Sequence, residues 1–258
     1  KKKDTSLLHH LIGSRSLVWN LAKNDIKKKF AGSYFGVVWA FVQPVITVLL
    51  YWFVFEKGLN SKATDLRTGI EIPFVLWLTA GLVPWFYFQE ALNGGTGVLV
   101  EYSYLVKKVV FQIDMLPVVK MISALFTHLF FVAFTIVLFI CMGYMPDWYA
   151  LQVVYYSFCM ILFATGLVYA TSAVTVFFRD MKEVVGILLQ IGMWVTPIMW
   201  NFETMVQIPG WAITVLKLNP MYYIVSGYRN ALINHIGFWE DMGLTVYFWV
   251  VTAVILFL

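Results

Sequence analysis

Six stretches of the chain run for 17 to 31 residues without an Asp, Glu, Lys or Arg: 31–55, 72–89, 121–146, 148–178, 184–202 and 242–258. A helix crossing the hydrocarbon core needs about 20 mostly apolar residues, so this pattern predicts six transmembrane helices. The fourth stretch exceeds one crossing, and its helix should project past the bilayer. Ahead of the first stretch the pattern changes. Leu7, Leu8, Leu11, Ile12, Val18, Ala22, Ile26 and Phe30 recur at helical spacing with Lys and Arg on other positions. That is the signature of a basic amphipathic helix lying on a membrane surface. Such a helix reads either as a plain anchor or as a collar at the mouth of a transport path.

Composition turns the pattern into a class. Of 258 residues, 61% are hydrophobic and 12% charged, where soluble domains carry about 25% charged residues. A cytosolic enzyme, a disordered chain and a disulfide-stapled module are excluded. Lys and Arg sort unevenly among the connections. With the N-terminus placed inside, thirteen lie in cytoplasmic segments and five in external ones, which by the positive-inside bias puts both termini in the cytoplasm. About 30 amphipathic residues separate the basic start from the first apolar run, which is not the layout of a signal peptide. Cys141 and Cys159 fall inside apolar stretches and read as packing residues.

Three connections stand out. The longest cytoplasmic one, 90–120, opens on Asn93-Gly94-Gly95-Thr96-Gly97, read as a flexible hinge. It continues through Lys107 and Lys108 to Phe111-Gln112-Ile113-Asp114-Met115-Leu116-Pro117. An apolar turn with one carboxylate suits a knob that docks into a soluble partner; the plain alternative is an interfacial loop. Arg179-Asp180-Met181-Lys182-Glu183 is a short charged turn. The segment 203–241 is largely apolar yet interrupted by Lys217 and Arg229, with a turn at Pro209-Gly210. Asn219-Pro220 is a good helix start, because Asn caps orphan amides and Pro fits the first position. Two short helices are expected, at about 211–218 and 220–236, either dipping into the outer leaflet or folded as an external cap.

Several chemistries are missing. No Walker A motif occurs, since Gly94-Gly95-Thr96-Gly97 lacks the Gly-Lys-Ser/Thr that cradles phosphates. There is no His/Cys cluster at metal spacing. No apolar stretch holds a central carboxylate, Lys or Arg, as ion-coupled carriers usually do. His128, the one side chain in these stretches that ionises near neutral pH, reads more readily as packing than as a relay. The energy for transport would come from elsewhere.

These residues carry a family pattern. LAKNDIKKKFAGSYFGVVWAFVQP (21–44) resembles the approach to the first span of ABC-2-type exporter permeases. AGLVPWFYF (80–88), the 107–117 stretch, FFRD (177–180), TPIMW (196–200) and LNPMYYIVSGYRNALI (218–233) follow in that family's order and cover nearly the whole chain. Within the family the chain is most similar to membrane subunits that export polysaccharides on lipid carriers. YWFVF (51–55), LNPMYYIVSGYRN and GFWED (237–241) resemble the wall teichoic acid exporter, with O-antigen and capsule permeases close.

The resemblance implies an all-α membrane protein with six transmembrane helices. It adds an N-terminal cytoplasmic amphipathic interface helix within 1–30, a cytoplasmic coupling helix, and outer re-entrant gate helices in a hairpin of about 203–241, the span domain covering 31–258. It implies a bacterial plasma membrane, a homodimer, and two copies of a separate ATP-binding subunit that holds ATP and Mg. The chain itself would carry no cofactor and no enzyme site. The substrate would be a lipid-linked glycan, with wall teichoic acid favoured; membrane lipid is a partner and nucleic acid is not. ATPase coupling falls on Lys107, Lys108, Phe111 and Asp114, with Arg179 and Asp180 nearby. Gln112 stands where relatives commonly carry Pro. Candidates for an aromatic sugar path are Tyr34, Trp39, Trp85, Tyr87, Trp194, Tyr222 and Tyr223. Each taken singly reads more readily as part of an interfacial belt, and it is their excess as a group that points to a path. Arg229 is the candidate at the outer gate, either meeting phosphate or holding the gate. An O-antigen or capsule permease, a small-molecule exporter of the same group, and an ATP-independent channel or carrier remain as alternatives.

Overall fold

The computed structural model describes residues 15–29, 31–103, 113–201 and 209–257. Each apolar stretch is helical over most of its length. The helices are α1 (Arg15–Lys29), α2 (Trp39–Trp52) continued by a π turn at Phe53–Gly58, α3 (Phe74–Thr96), and the short α4 (Val98–Glu101). They continue with α5 (Leu116–Cys141), α6 (Gln152–Phe177), α7 (Met181–Val195) and α8 (Gly210–Lys217). Last come α9 (Pro220–Arg229), extended by a π turn at Asn230–Asn234, and α10 (Met242–Phe257). A two-residue antiparallel pair, β1 (Ala63–Thr64) and β2 (Glu71–Ile72), closes the loop between α2 and α3. That loop is held by Asp65, whose carboxylate accepts from the Arg67 amide at 2.8 Å and the Thr68 hydroxyl at 2.6 Å.

Among the described residues, three helices are long and apolar enough to cross a bilayer, Trp39–Gly58, Ile113–Cys141 and Trp148–Phe177, and Met242–Phe257 is a shorter apolar one. The remaining two expected spans depart from that description. α3 ends in Gln89, Glu90 and Asn93, and α7 has only 15 residues. The 184–202 stretch does not make one helix, because Pro197 forces Thr196 into extended backbone (φ −74°, ψ 129°) and ends α7 at Val195.

The fold is organised around α3, which packs on α2, α5, α6, α7 and α9. Small residues make this possible, since helices that gain little from burying apolar surface against lipid must approach closely to attract one another. A Cβ on Gly95 would overlap the Val168 side chain of α6, and one on Gly227 of α9 would overlap the Tyr156 ring. One residue beyond Gly95, the Thr96 and Thr171 hydroxyls meet at 3.0 Å. The stretch from Asn93 to Thr96, expected as a hinge, is therefore the last turn of α3, and Gly95 is there for contact.

Two further expectations change. α1 is docked on protein: Val18 and Ala22 pack with Met115 and Val119 at the start of α5, while Leu17 and Trp19 stay exposed. Cys159 is a buried packing residue, whereas Cys141 is exposed at the end of α5. The Asn219-Pro220 start appears where the residues place it. The Asn219 side chain accepts from the Met221 amide at 3.0 Å, and its own amide donates to the Thr196 hydroxyl at 2.8 Å. That second bond ties the start of α9 to the end of α7.

Candidate functional site

The start of α9 sets its register, and the third turn then carries Arg229 into the protein against α3. Arg229 is 6% exposed. Its Nη1 donates to the Pro197 carbonyl at 2.6 Å, its Nη2 to that of Ile198 at 2.7 Å, and its Nε to that of Trp77 at 3.3 Å. The carbonyls of Pro197 and Ile198 lie past the end of α7, outside any helix ladder, so a forked donor satisfies what the break leaves open. The guanidinium also needs space, and Gly81 supplies it: a Cβ there would sit 2.6 Å from Nη2. The geometry is that of a side chain tying α9, α3 and the segment after α7 together. Its donors point to carbonyls of this chain.

Beside this clasp lies a cavity of about 540 Å³, bordered by Trp77, Trp200, Tyr222, Tyr223, Phe238 and Asn230. The volume is in the range of small-ligand clefts, and aromatic faces with an amide are suited to a sugar ring. The Tyr223 hydroxyl is engaged, meeting Tyr155 and Thr245 at 3.1 Å each. Deeper in, Tyr228, Ser157 and His128 close a polar triangle with contacts of 2.6, 3.1 and 3.3 Å.

A second cluster occupies the opposite, basic end. Asp25 of α1 is buried and accepts from Lys120 Nζ at 2.7 Å and from the Tyr102 hydroxyl at 2.8 Å. Lys120 also reaches Glu101 at 3.0 Å, and the ammonium groups of Lys28 and Lys120 lie 5.4 and 5.5 Å from the Tyr102 ring. This node joins α1, the end of α4 and α5. Sequence reasoning did not single it out. The available signal was Asp25 itself, a carboxylate seven residues after Val18 and three after Ala22, on the face α1 buries.

The expected coupling residues Lys107, Lys108 and Phe111 lie outside the described residues. Asp114 sits half-buried in the turn that enters α5, where its backbone carbonyl accepts from the Tyr169 hydroxyl at 2.6 Å. Arg179 and Asp180 are exposed in the turn between α6 and α7. Both turns lie at the basic end, since Met115 packs with α1 and the Lys182 stem lies against Gly97.

The expected aromatic path divides. Tyr34 (97% exposed), Trp39 and Trp194 stand on the surface. Trp85 and Tyr87 lie in the interior. Both are buried because α3 is the central helix: Trp85 lies against Gly192 of α7, and Tyr87 stacks edge-on 5.2 Å from His128. Tyr222 and Tyr223 border the cavity beside Arg229.

The family model described as ABC-2 type transporter matches residues 16–233, which takes in α1, the Asp25–Lys120 node and the Arg229 clasp. The chain belongs to the ABC-2 type transporter family. It is a multi-pass membrane permease, the transport subunit of an ABC exporter, and such a permease works with an ATP-binding partner subunit. Relatives point the same way. The chain is 25% identical over 229 residues to the O-antigen export system permease protein RfbA of Myxococcus xanthus, covering 89% of this chain and 85% of the relative. Two proteins of the same name from Klebsiella pneumoniae are 22% and 20% identical over 218 and 216 residues, each covering 83% of this ABC-2 permease and 79% of the relative.

Proposed function

We propose that this ABC-2 permease moves a polysaccharide of the O-antigen kind, carried on a lipid diphosphate, across a bacterial plasma membrane. Two copies of the chain would work with two ATP-binding subunits, both termini on the ATPase side. The observation that carries this reading is the similarity over 89% of the chain to a permease named for O-antigen export. That similarity favours O-antigen over wall teichoic acid, which YWFVF and GFWED had brought forward. Six crossings remain the reading, with α3 and α7 completing the set. α3 has 17 of its 23 residues buried, and a helix surrounded by protein need not be apolar enough for lipid.

External energy fits the interior chemistry. Arg229 is held by carbonyls and His128 by hydroxyls, while the Asp25–Lys120 cluster lies at the basic end, so neither of these two buried basic groups has a carboxylate partner among the described residues. An ATP-independent carrier would be expected to keep one.

The test is reconstitution with the ATP-binding partner in proteoliposomes. The expected result is ATP-dependent movement of an undecaprenyl-diphosphate-linked neutral polysaccharide. Transport by the permease alone would overturn the ATP coupling. Transport of a polyol-phosphate polymer in place of the neutral one would restore the teichoic acid reading.

A further inference from the structure

A larger cavity, about 740 Å³, opens at the basic end between α1, α2, α3 and α5. Its inner wall is polar where lipid-embedded helices should be apolar. Gln43 of α2, Gln89 and Asn93 of α3 and Thr127 of α5 all face it. Gln89, Asn93 and Thr127 are half-buried and Gln43 is exposed. None of these four makes a side-chain hydrogen bond to another described residue. Three amides, each with two donors and an acceptor oxygen, thus converge with a hydroxyl on one volume and are not used by the fold.

The rim is different in kind. Lys182 stands there without an ion pair to any described residue, its stem 3.6 Å from where a Gly97 Cβ would lie. Across the mouth, Lys29 and Glu90 pair at 2.7 Å, with the Lys29 side chain 51% exposed. A pair that exposed contributes little to stability and opens easily. The α2 wall turns Ile46, Leu49, Leu50 and Phe53 outward, so an apolar chain has a greasy surface to follow outside the cavity.

Unused amides and a hydroxyl on the wall, ammonium groups at a rim shared with Asp25, Glu90 and Glu101, and an apolar flank match a ligand with three parts. We propose that this cavity receives the sugar-diphosphate head of the exported lipid. Gln43, Gln89, Asn93 and Thr127 bind the first sugar, Lys182 faces the diphosphate, and the polyprenyl chain stays in lipid along α2. Entry of the diphosphate competes for Lys29 and opens its pair with Glu90. The assignment rests on the export reading above and narrows it to a place within one protomer.

The test uses the permease–ATPase complex in lipid nanodiscs and two radiolabelled probes, undecaprenyl diphosphate with and without one N-acetylglucosamine. Wild type should bind the glycosylated probe roughly tenfold more tightly, the worth of one or two well-made hydrogen bonds. Gln89→Leu with Asn93→Leu should erase that preference while keeping the affinity for the bare probe. Lys182→Met should weaken both probes by about tenfold. If the double variant fails to assemble, Gln43→Leu and Thr127→Val carry the same measurement. Unchanged sugar preference in the variants, or none in wild type, means the cavity holds only water and the assignment falls. In that case measurable export would leave the broader reading standing. Absence of both binding and export would remove both.

Discussion

Arg229 places its guanidinium carbon 3.3 Å from the centre of the Trp77 ring and donates to the backbone carbonyl of the same residue. The stacking and the hydrogen bond fix α9 on α3, and the two bonds to Pro197 and Ile198 add the segment after α7. One side chain thus joins three elements that are far apart in sequence.

Replacing it should be costly. Arg229→Met leaves three carbonyls without their donor, each worth roughly 1–3 kcal/mol when buried. Arg229→Lys should recover little, because an ammonium lacks the planar fork and the stacking face. Thermal unfolding of the detergent-solubilised permease measures this. A lysine variant as stable as wild type would contradict the clasp.

Two glycine substitutions should move in opposite directions. Gly81→Ala gains helix propensity of about 1 kcal/mol at most. It also drives a Cβ to 2.6 Å from Arg229 Nη2, and overpacking of this kind costs about 1–3 kcal/mol, so the net effect is a loss. A Cβ on Gly186 of α7 would meet nothing within 4 Å, so Gly186→Ala should stabilise by about 0.5–1 kcal/mol. The same melting assay compares them.

The Asp25–Lys120 contact should appear as a coupling. Both side chains are largely buried, and removing either leaves the other charge poorly paired. In a double-mutant cycle of Asp25→Asn and Lys120→Met, the double variant should lose less than the sum of the singles, by roughly 1–3 kcal/mol. Additive losses would mean the pair contributes nothing beyond its parts.

The α2–α3 loop should loosen in acid. Burial pushes the Asp65 carboxyl up, but hydrogen bonds from the Thr68 hydroxyl and the Arg67 and Thr68 amides outweigh it and hold the group below its usual range. A depressed folded value means the stabilisation is complete above the unfolded pKa of about 3.9 and is lost as pH falls through the folded one. Hydrogen-exchange protection of the Arg67 and Thr68 amides should fall in that acidic window. Asp65→Asn should remove the pH dependence.

On the coupling reading, Asp114→Lys should lower export per ATP hydrolysed while the permease still inserts and assembles. Parallel assays of hydrolysis and export in proteoliposomes would show this, and an unchanged ratio would move the ATPase contact away from Asp114.

Charge-free runs located the helices because lipid imposes one requirement on everything it touches. Asn219-Pro220 located the start of α9 because a cap is a local event. What depends on neighbours was not legible. Gly95 read as part of a hinge, and only the Val168 side chain on another helix shows it to be a contact. Trp85 and Tyr87 looked like any other aromatics until α3 proved to be central. The partners of Arg229 lie 31, 32 and 152 residues away, a spacing that no periodicity encodes.

α3 rises about 1.5 Å per residue, long enough to link the Arg229 clasp to the basic end, and protein surrounds 17 of its 23 residues. Its sequence is thereby released from hydropathy and bound to shape. A thicker or thinner bilayer has little of this helix to grip, whereas a single added methyl group at Gly81 or Gly95 would be felt at once.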